Sequence, residues 1–332
     1  MTDAESAQPD GTPPAASIAK APSRARRIAW LVVRIGVTIG AFVYLLSIVD
    51  LHDLAAAFGR LSAGAMVAAI ALTATNILVA SYRWRVLLSA YGAPHRPPFL
   101  RLTRLYFVGF FYNTFLPGAV GGDVVRGVAT REAFGATGMA SALTVVFVER
   151  VLGLSGLLLL SAIVFGLHPM AHVDGIFVWG AVGLAAAFAT VIGIAAGRRL
   201  SGVLPGFLGR LAASLPAIHS FRHFFLALVL SVGTQSLVAL TGHVLIASLD
   251  AHVGVADSLV IVPVAAAAAY FPITVAGAGA REAAFVHLYG AIGVARPVAL
   301  AASLLLLGAQ LIVAAFGGLL ALAPVSRGDT SS

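Results

Sequence analysis

Cysteine is absent from the 332 residues, lysine occurs once, at Lys20, and only 13 residues are acidic. The first absence excludes a disulfide framework, an iron–sulfur site and a thiolate nucleophile. The scarcity of charge says more. Charged residues make up 10% of the chain and hydrophobic ones 60%, with a mean hydropathy of +0.98. A soluble domain carries about 25% charged residues, so the chain reads as an all-α polytopic membrane protein. Also lacking are a Walker motif, a dinucleotide fingerprint, a serine nucleophile elbow and an acidic pair suited to metal-assisted phosphoryl or glycosyl transfer. No cofactor is expected.

Arginine is what the chain has in excess. The formal net charge is +8 and the sequence pI about 10.6. In a soluble chain that balance would suggest nucleic acid. Here the arginines flank apolar runs, so they set topology and meet anionic lipid, and no nucleic-acid partner is expected.

Residues 1–27 read as a cytoplasmic tail, Ala-, Pro-, Ser- and Asp-rich and disordered over most of its length, and residues 324–332 as a second short one. Between them lies one membrane domain, 28–323. Apolar runs of about 20 residues cross a hydrocarbon core, and six segments qualify: 28–49, 62–82, 138–166, 174–196, 224–249 and 298–323. The first, Ile28–Val49, follows a basic cluster and has full spanning length, so it reads as a retained span and not a cleaved signal peptide. Two further apolar regions, 105–135 and 258–290, are broken by Pro and Gly; a hydropathy count would make them spans and report about eight. Each reads as a re-entrant pair of half-helices.

With the N-terminus and C-terminus in the cytoplasm, and each broken segment returning to its own side, 16 of the 21 basic residues fall inside. Arg60, Arg281 and Arg296 fall outside, and Arg34 and Arg150 lie within spans. The expected location is therefore the cytoplasmic membrane, with Tyr82–Arg83–Trp84–Arg85 as an interfacial anchor closing the second span. Under this topology the two broken segments enter from opposite faces, the signature of an inverted repeat with sites near the midplane. Their residues match: Phe115, Pro117, Gly122 and Arg126 recur at the same offsets as Tyr270, Pro272, Gly277 and Arg281.

Acids within apolar surroundings are few: Asp123, Glu132, Glu149 and Glu282. Three of them, Asp123, Glu149 and Glu282, sit near Arg126, Arg150 and Arg281 in an apolar setting, and an intramembrane charge costs at least ~2.5–3.5 kcal/mol, so these residues should converge. Asp123 follows Gly121 and Gly122 and opens a helical pattern, which suits an N-cap. Arg126 lies one turn inside that helix and suits a phosphate. Glu149 and Arg150 point about 100° apart on their helix, so they should pair with Asp123, Arg126, Arg281 or Glu282 and not with each other. Arg281 and Glu282 follow a run of small residues that includes Gly277 and Gly279. Asn113 is the intramembrane amide placed to face the site; Asn76, Gln235, His243 and Gln310 should hydrogen-bond between helices. His219 with His223, and His168 with His172, are spaced i, i+4 but read as loop histidines, and no metal is expected. Three acids and three arginines balance, which suits a zwitterionic or phosphate-bearing headgroup.

Three motifs carry a family resemblance: Asn113–x–x–Leu116–Pro117 through Gly121–Gly122–Asp123–x–x–Arg126, Glu149–Arg150–x–x–Gly153–Leu154, and Pro272 through Gly277–x–Gly279–x–Arg281–Glu282. Over about residues 28–323 the chain resembles the flippase-like transmembrane domain of lysylphosphatidylglycerol synthases. In full-length relatives a cytosolic aminoacyl-transfer domain follows, and none follows within these 332 residues. The resemblance therefore implies a lipid translocator, not an enzyme, with membrane lipids of anionic or zwitterionic headgroup, or polyprenyl-phosphate-linked lipids, as partners. Two alternatives stand beside it. One is an intramembrane transferase acting on a polyprenyl-phosphate-linked sugar, with Asp123 or Glu149 as base. The other is a non-catalytic partner of a separate lipid or glycan synthase, docking through the loops 83–104 and 198–223.

Overall fold

The computed structural model describes residues 24–115, 121–167, 218–268 and 279–323, with positions 185, 189, 191–193 and 202. The tails, the expected span 174–196, most of the loop 198–223, His168 with His172, and the breaks holding Pro117, Pro272 and Gly277 lie outside the described residues.

Among the described residues the chain is helical throughout. Helix α1 (Arg24–Ile48) bends by 86° into the short α2 (Leu51–Gly59). Asp50 makes that corner, its Oδ1 accepting from the backbone N–H of His52 (2.7 Å) and Asp53 (3.3 Å). Ser62 caps α3 (Ala63–Ala90) through Ala65 N–H. The next elements are α4 (Phe99–Phe115), α5 (Gly121–Ala129), a 3₁₀ turn (Arg131–Thr137) and α6 (Gly138–Leu167). Beyond the described gap come α7 (Phe221–Ala247), α8 (Val255–Ala268), α9 (Ala280–Ala291) and α10 (Arg296–Leu322). By length and composition α3, α6, α7 and α10 can cross a membrane, and the bent pair α1–α2 makes a fifth. Five of the six expected spans thus coincide with a described helix.

Both broken segments are helical hairpins. In the first, α5 folds back on α4 so closely that a Cβ placed on Gly122 would lie 1.8 Å from the Gly109 carbonyl oxygen. Only glycine at position 122 allows that approach. In the second, Tyr289 Oη on α9 donates to Ser258 Oγ on α8 (3.0 Å), and His243 on α7 meets the same hydroxyl at 3.1 Å.

The order long helix, hairpin, long helix occurs twice: α3, α4–α5, α6 and then α7, α8–α9, α10. Helices α3 and α7 pack antiparallel, because Ala90 C=O accepts from His219 and Ser220 N–H while Arg83 reaches Ser231 and Thr234 further along. Each hairpin follows the C-terminal end of its long helix, so the two enter from opposite ends of the bundle. Two hydrophobic clusters mark those ends. One gathers Trp84, Leu87, Leu102, Val145, Leu152 and Phe224 around the first hairpin. The other gathers Leu45, Ala69, Leu245, Ile261, Phe285 and Leu306 around the second.

Helix α10 touches both hairpins. Gly317 packs on the Phe107 carbonyl of α4, with the Phe107 and Phe316 rings edge-on at 5.5 Å. Seven residues earlier, about 10 Å of helix rise, Gln310 receives Arg281 of α9.

One expectation is corrected here. The second span does not close at Tyr82–Arg85, since α3 continues to Ala90. Tyr82 and Arg85 are exposed, but Arg83 and Trp84 are buried, with 6% and 0% of their surface accessible. They lie on the stripe Ala80, Arg83, Trp84, Leu87 and Ala90, which faces the core at helical spacing.

Candidate functional site: a buried arginine–carboxylate network

Glu149, in the middle of α6, is the centre of the network at 1% exposure. Its Oε1 accepts from Arg83 Nη2 and from Tyr106 Oη, both at 2.9 Å, and its Oε2 makes an ion pair with Arg126 Nη2 at 3.0 Å. Arg83 extends across to α7, donating from Nη1 to Ser231 Oγ (3.1 Å) and Thr234 Oγ1 (3.2 Å). Helices α3, α4 and α6 and the half-helix α5 therefore meet on one carboxylate, and α7 joins them through Arg83. Such a buried network costs desolvation that only complete pairing offsets.

Arg126 sits one turn inside α5 because the glycine contact with α4 lets that half-helix enter the bundle. Its guanidinium lies over the Tyr106 ring (4.3 Å to the centroid) and the Trp84 ring (4.8 Å), a double cation–π contact of the kind that steadies a desolvated cation. The two rings are edge-on to each other at 6.3 Å. Arg126 also ion-pairs with Asp123 at 3.3 Å.

Asp123 lies in the first turn of α5, which begins at Gly121. Its partners are side chains: Arg126, Arg150 through Nε, and the amide of Asn113 at 3.2 Å. Asn113 in turn accepts Gly122 N–H at 2.8 Å, which ties α4 to the start of α5. Arg150 is the accessible member of the set, with 35% of its side-chain surface exposed, against 5% for Arg126.

Arg281 and Glu282 form a second pair in the first turn of α9. Arg281 donates from Nε (3.1 Å) and Nη2 to Glu282 Oε1, and from Nη1 to Gln310 Oε1 (3.2 Å). Glu282 Oε2 accepts Gly279 N–H at 2.7 Å, while Ser303 Oγ donates to Oε1 at 3.4 Å. Gly279 has φ +87°, and its added Cβ would lie 2.7 Å from Ala41 Cβ on α1, so glycine is required there for both reasons.

Of the residues expected at the site, Asn113, Gly121, Gly122, Asp123, Arg126, Glu149 and Arg150 come together in the first hairpin; Gly279, Arg281 and Glu282 form the second centre. Glu149 and Arg150 do seek separate partners, as adjacent helical positions require, but those partners are Arg83, Tyr106, Arg126 and Asp123. Glu132 is exposed on the 3₁₀ turn and takes no part. Gln235 donates to the Gly153 carbonyl (3.0 Å), whereas Asn76 Oδ1 is buried without a hydrogen-bond partner. His223 Nδ1 meets Ser220 Oγ at 2.7 Å, at the start of α7. Asp50, His52 and Asp53 cluster at the α1–α2 corner, all exposed, and capping of α2 accounts for them.

The residues that sequence reasoning missed are Arg83, Trp84 and Tyr106, with Ser231, Thr234 and Ser303 in support. The helical phase of Arg83 with Ala80 and Leu87 was the available signal. With Arg83 included, the two centres hold, among the described residues, four arginines (Arg83, Arg126, Arg150, Arg281) and three acids (Asp123, Glu149, Glu282).

A multi-pass helical membrane protein with two opposed hairpins and a buried arginine in each is the class defined by this fold and site. The family model described as the lysylphosphatidylglycerol synthase TM region matches residues 31–318, and the chain belongs to that family. A search of curated proteins finds no match.

Proposed function

We propose that the protein is a translocator that moves a phospholipid or a lipid-linked headgroup across the cytoplasmic membrane, with no chemical conversion of the lipid. The observation that carries this reading is the pair of hairpins entering from opposite ends, each presenting a buried arginine on its returning half-helix, Arg126 one turn inside α5 and Arg281 in the first turn of α9. An anionic headgroup is attracted to such a helix N-terminus and to a guanidinium beside it. Because α10 contacts both hairpins, a headgroup leaving one arginine meets the other along a single helix.

The charge distribution supports an orientation. Exposed Arg85, Arg96, Arg131 and Arg222 crowd the end where α3 closes, and Arg60 and Arg296 stand at the other end, beside the exposed acids Asp50, Asp53 and Asp250. Under the positive-inside rule the arginine-rich end is cytoplasmic. The sequence has no nucleotide-binding motif, so movement follows a gradient or the consumption of the lipid on one face.

The test is reconstitution of the purified chain into vesicles with fluorescently labelled lipids, read by a membrane-impermeant quencher. The unsubstituted protein should speed exchange between leaflets, and Arg126→Ala and Arg281→Ala should each abolish the gain. Transport of every tested lipid by both variants at the unsubstituted rate would remove the site assignment.

A further inference from the structure

The offset that carries Arg126 onto Arg281 also carries Thr103 onto Ser258, so both hairpins hold a buried hydroxyl at the same place. Their surroundings differ. Thr103 Oγ1 has no hydrogen-bond partner. Ser258 Oγ accepts from Tyr289 Oη at 3.0 Å and meets His243 Nδ1 at 3.1 Å, which ties α8 to α9 and to α7. At the same offset the first repeat carries Phe134 for Tyr289 and Leu88 for His243, side chains with no donor or acceptor to offer. The hydroxyl chain therefore belongs to the second hairpin and not to the first.

A second difference lies five residues further along α8. Pro263 stands inside that helix, where it has no N–H to give the Leu259 carbonyl and its ring crowds the turn before it. Val108 takes the corresponding place in α4, which keeps the backbone bond that α8 lacks. The turns Val255–Val262 are thus joined to the rest of α8 by a weakened ladder and held in place at Ser258. They also roof the second centre. Glu282 and Tyr289 lie seven residues apart on the buried face of α9, about 10 Å of helix rise, and Tyr289 is the one nearer the end of the bundle where Asp250 is exposed.

We infer that Val255–Val262 is a gate. It swings about Pro263, the Tyr289–Ser258–His243 chain latches it shut, and its opening connects the centre at Arg281 and Glu282 to the membrane face marked by Asp250. Among the described residues the first hairpin carries no such latch, so the two ends of the bundle open by different means. Ser258, Tyr289 and His243 are positioning residues. The inference rests on the translocation reading only in assigning the opening to passage of a lipid headgroup.

The chain contains no cysteine, so a single Ile261→Cys reports on the gate. The native side chain there is 3% exposed and belongs to the cluster of Leu245 and Tyr289. The full chain is reconstituted in vesicles and treated with a membrane-impermeant maleimide from the face that labels Asp250→Cys. Adding Tyr289→Phe should speed labelling by about 5-fold, the shift in an opening equilibrium that one net hydrogen bond of about 1 kcal/mol produces. Ser258→Ala should act in the same direction. Pro263→Ala keeps the latch and restores the backbone bond, so it should slow labelling. In the first hairpin, Thr103→Val removes a hydroxyl that has no partner and should leave Val145→Cys, buried at the other end, as slow as before. An unchanged rate in Tyr289→Phe overturns the latch, and an unchanged rate in Pro263→Ala overturns the hinge. An equal rise at Val145→Cys in the Tyr289→Phe chain would mean general loosening and overturns the gate as well. Should Tyr289→Phe fail to fold, Ser258→Ala and Pro263→Ala decide the matter. Labelling that follows the latch without any lipid exchange sinks the transport reading and leaves the gate standing; lipid exchange with labelling indifferent to the latch does the reverse.

Discussion

Glu149→Gln is the sharpest perturbation of the network. The carboxylate is 2% exposed at its side chain and compensates Arg83 and Arg126, themselves 8% and 5% exposed. Glutamine keeps the volume and its oxygen can still accept from Arg83 and Tyr106, so packing and the hydrogen bonding at that oxygen survive. What is lost is the negative charge facing two buried cations. Removing one partner of a buried pair costs about 3–5 kcal/mol because the other charge stays uncompensated; the retained hydrogen bond places this case near the lower end, about 3 kcal/mol. The second substitution separates charge from shape. In Glu149→Gln/Arg83→Met one orphaned cation is gone, so the double variant should be more stable than the sum of the single losses by about 2 kcal/mol, within the range for directly contacting residues. The assay is reversible unfolding in mixed micelles, followed by far-ultraviolet circular dichroism, over the four corners of the cycle. A loss below about 1 kcal/mol for Glu149→Gln, or strict additivity in the cycle, would refute the claim that this carboxylate holds two desolvated arginines.

Gly122→Ala should unseat the first hairpin, since its Cβ would sit 1.8 Å from the Gly109 carbonyl oxygen; a loss of about 3 kcal/mol or more follows from overpacking. Gly290→Ala, with nothing within 4 Å of the added methyl, should be neutral or slightly stabilising in the same unfolding assay. The absence of cysteine makes topology testable with single replacements. A membrane-impermeant maleimide should label Asp250→Cys on intact cells and Arg96→Cys only after permeabilisation, and the reverse pattern would invert the proposed orientation.

Hydropathy alone determines that this chain lives in a bilayer, because burying 60% apolar residues against 10% charged ones leaves no soluble alternative. The broken regions around Pro117 and Pro272 were legible for a similar reason: proline and clustered glycine stop a helix wherever it stands, and the described arms on either side fold back as hairpins. Glycine spacing could not show which glycine matters. Gly122 and Gly279 are decisive, one through contact with Gly109 and the other through its φ, whereas Gly36 and Gly40 meet nothing within 4 Å.

The separate pairing of Glu149 and Arg150 was legible from helix geometry, and so was the meeting of Asn113, Asp123 and Arg126, which lie within 14 residues. Arg83 was not. It sits 66 positions from Glu149, beside Tyr82 and Arg85, which do face outward. A local reading of Tyr82–Arg83–Trp84–Arg85 therefore assigns it to the interface. Only the antiparallel packing of α3 on α7, and the insertion of α6 beside them, turns Arg83 inward onto Glu149, Ser231 and Thr234. A local pattern determines which residues cannot face lipid; which opposite charge each one finds is a long-range contact that tertiary packing alone decides.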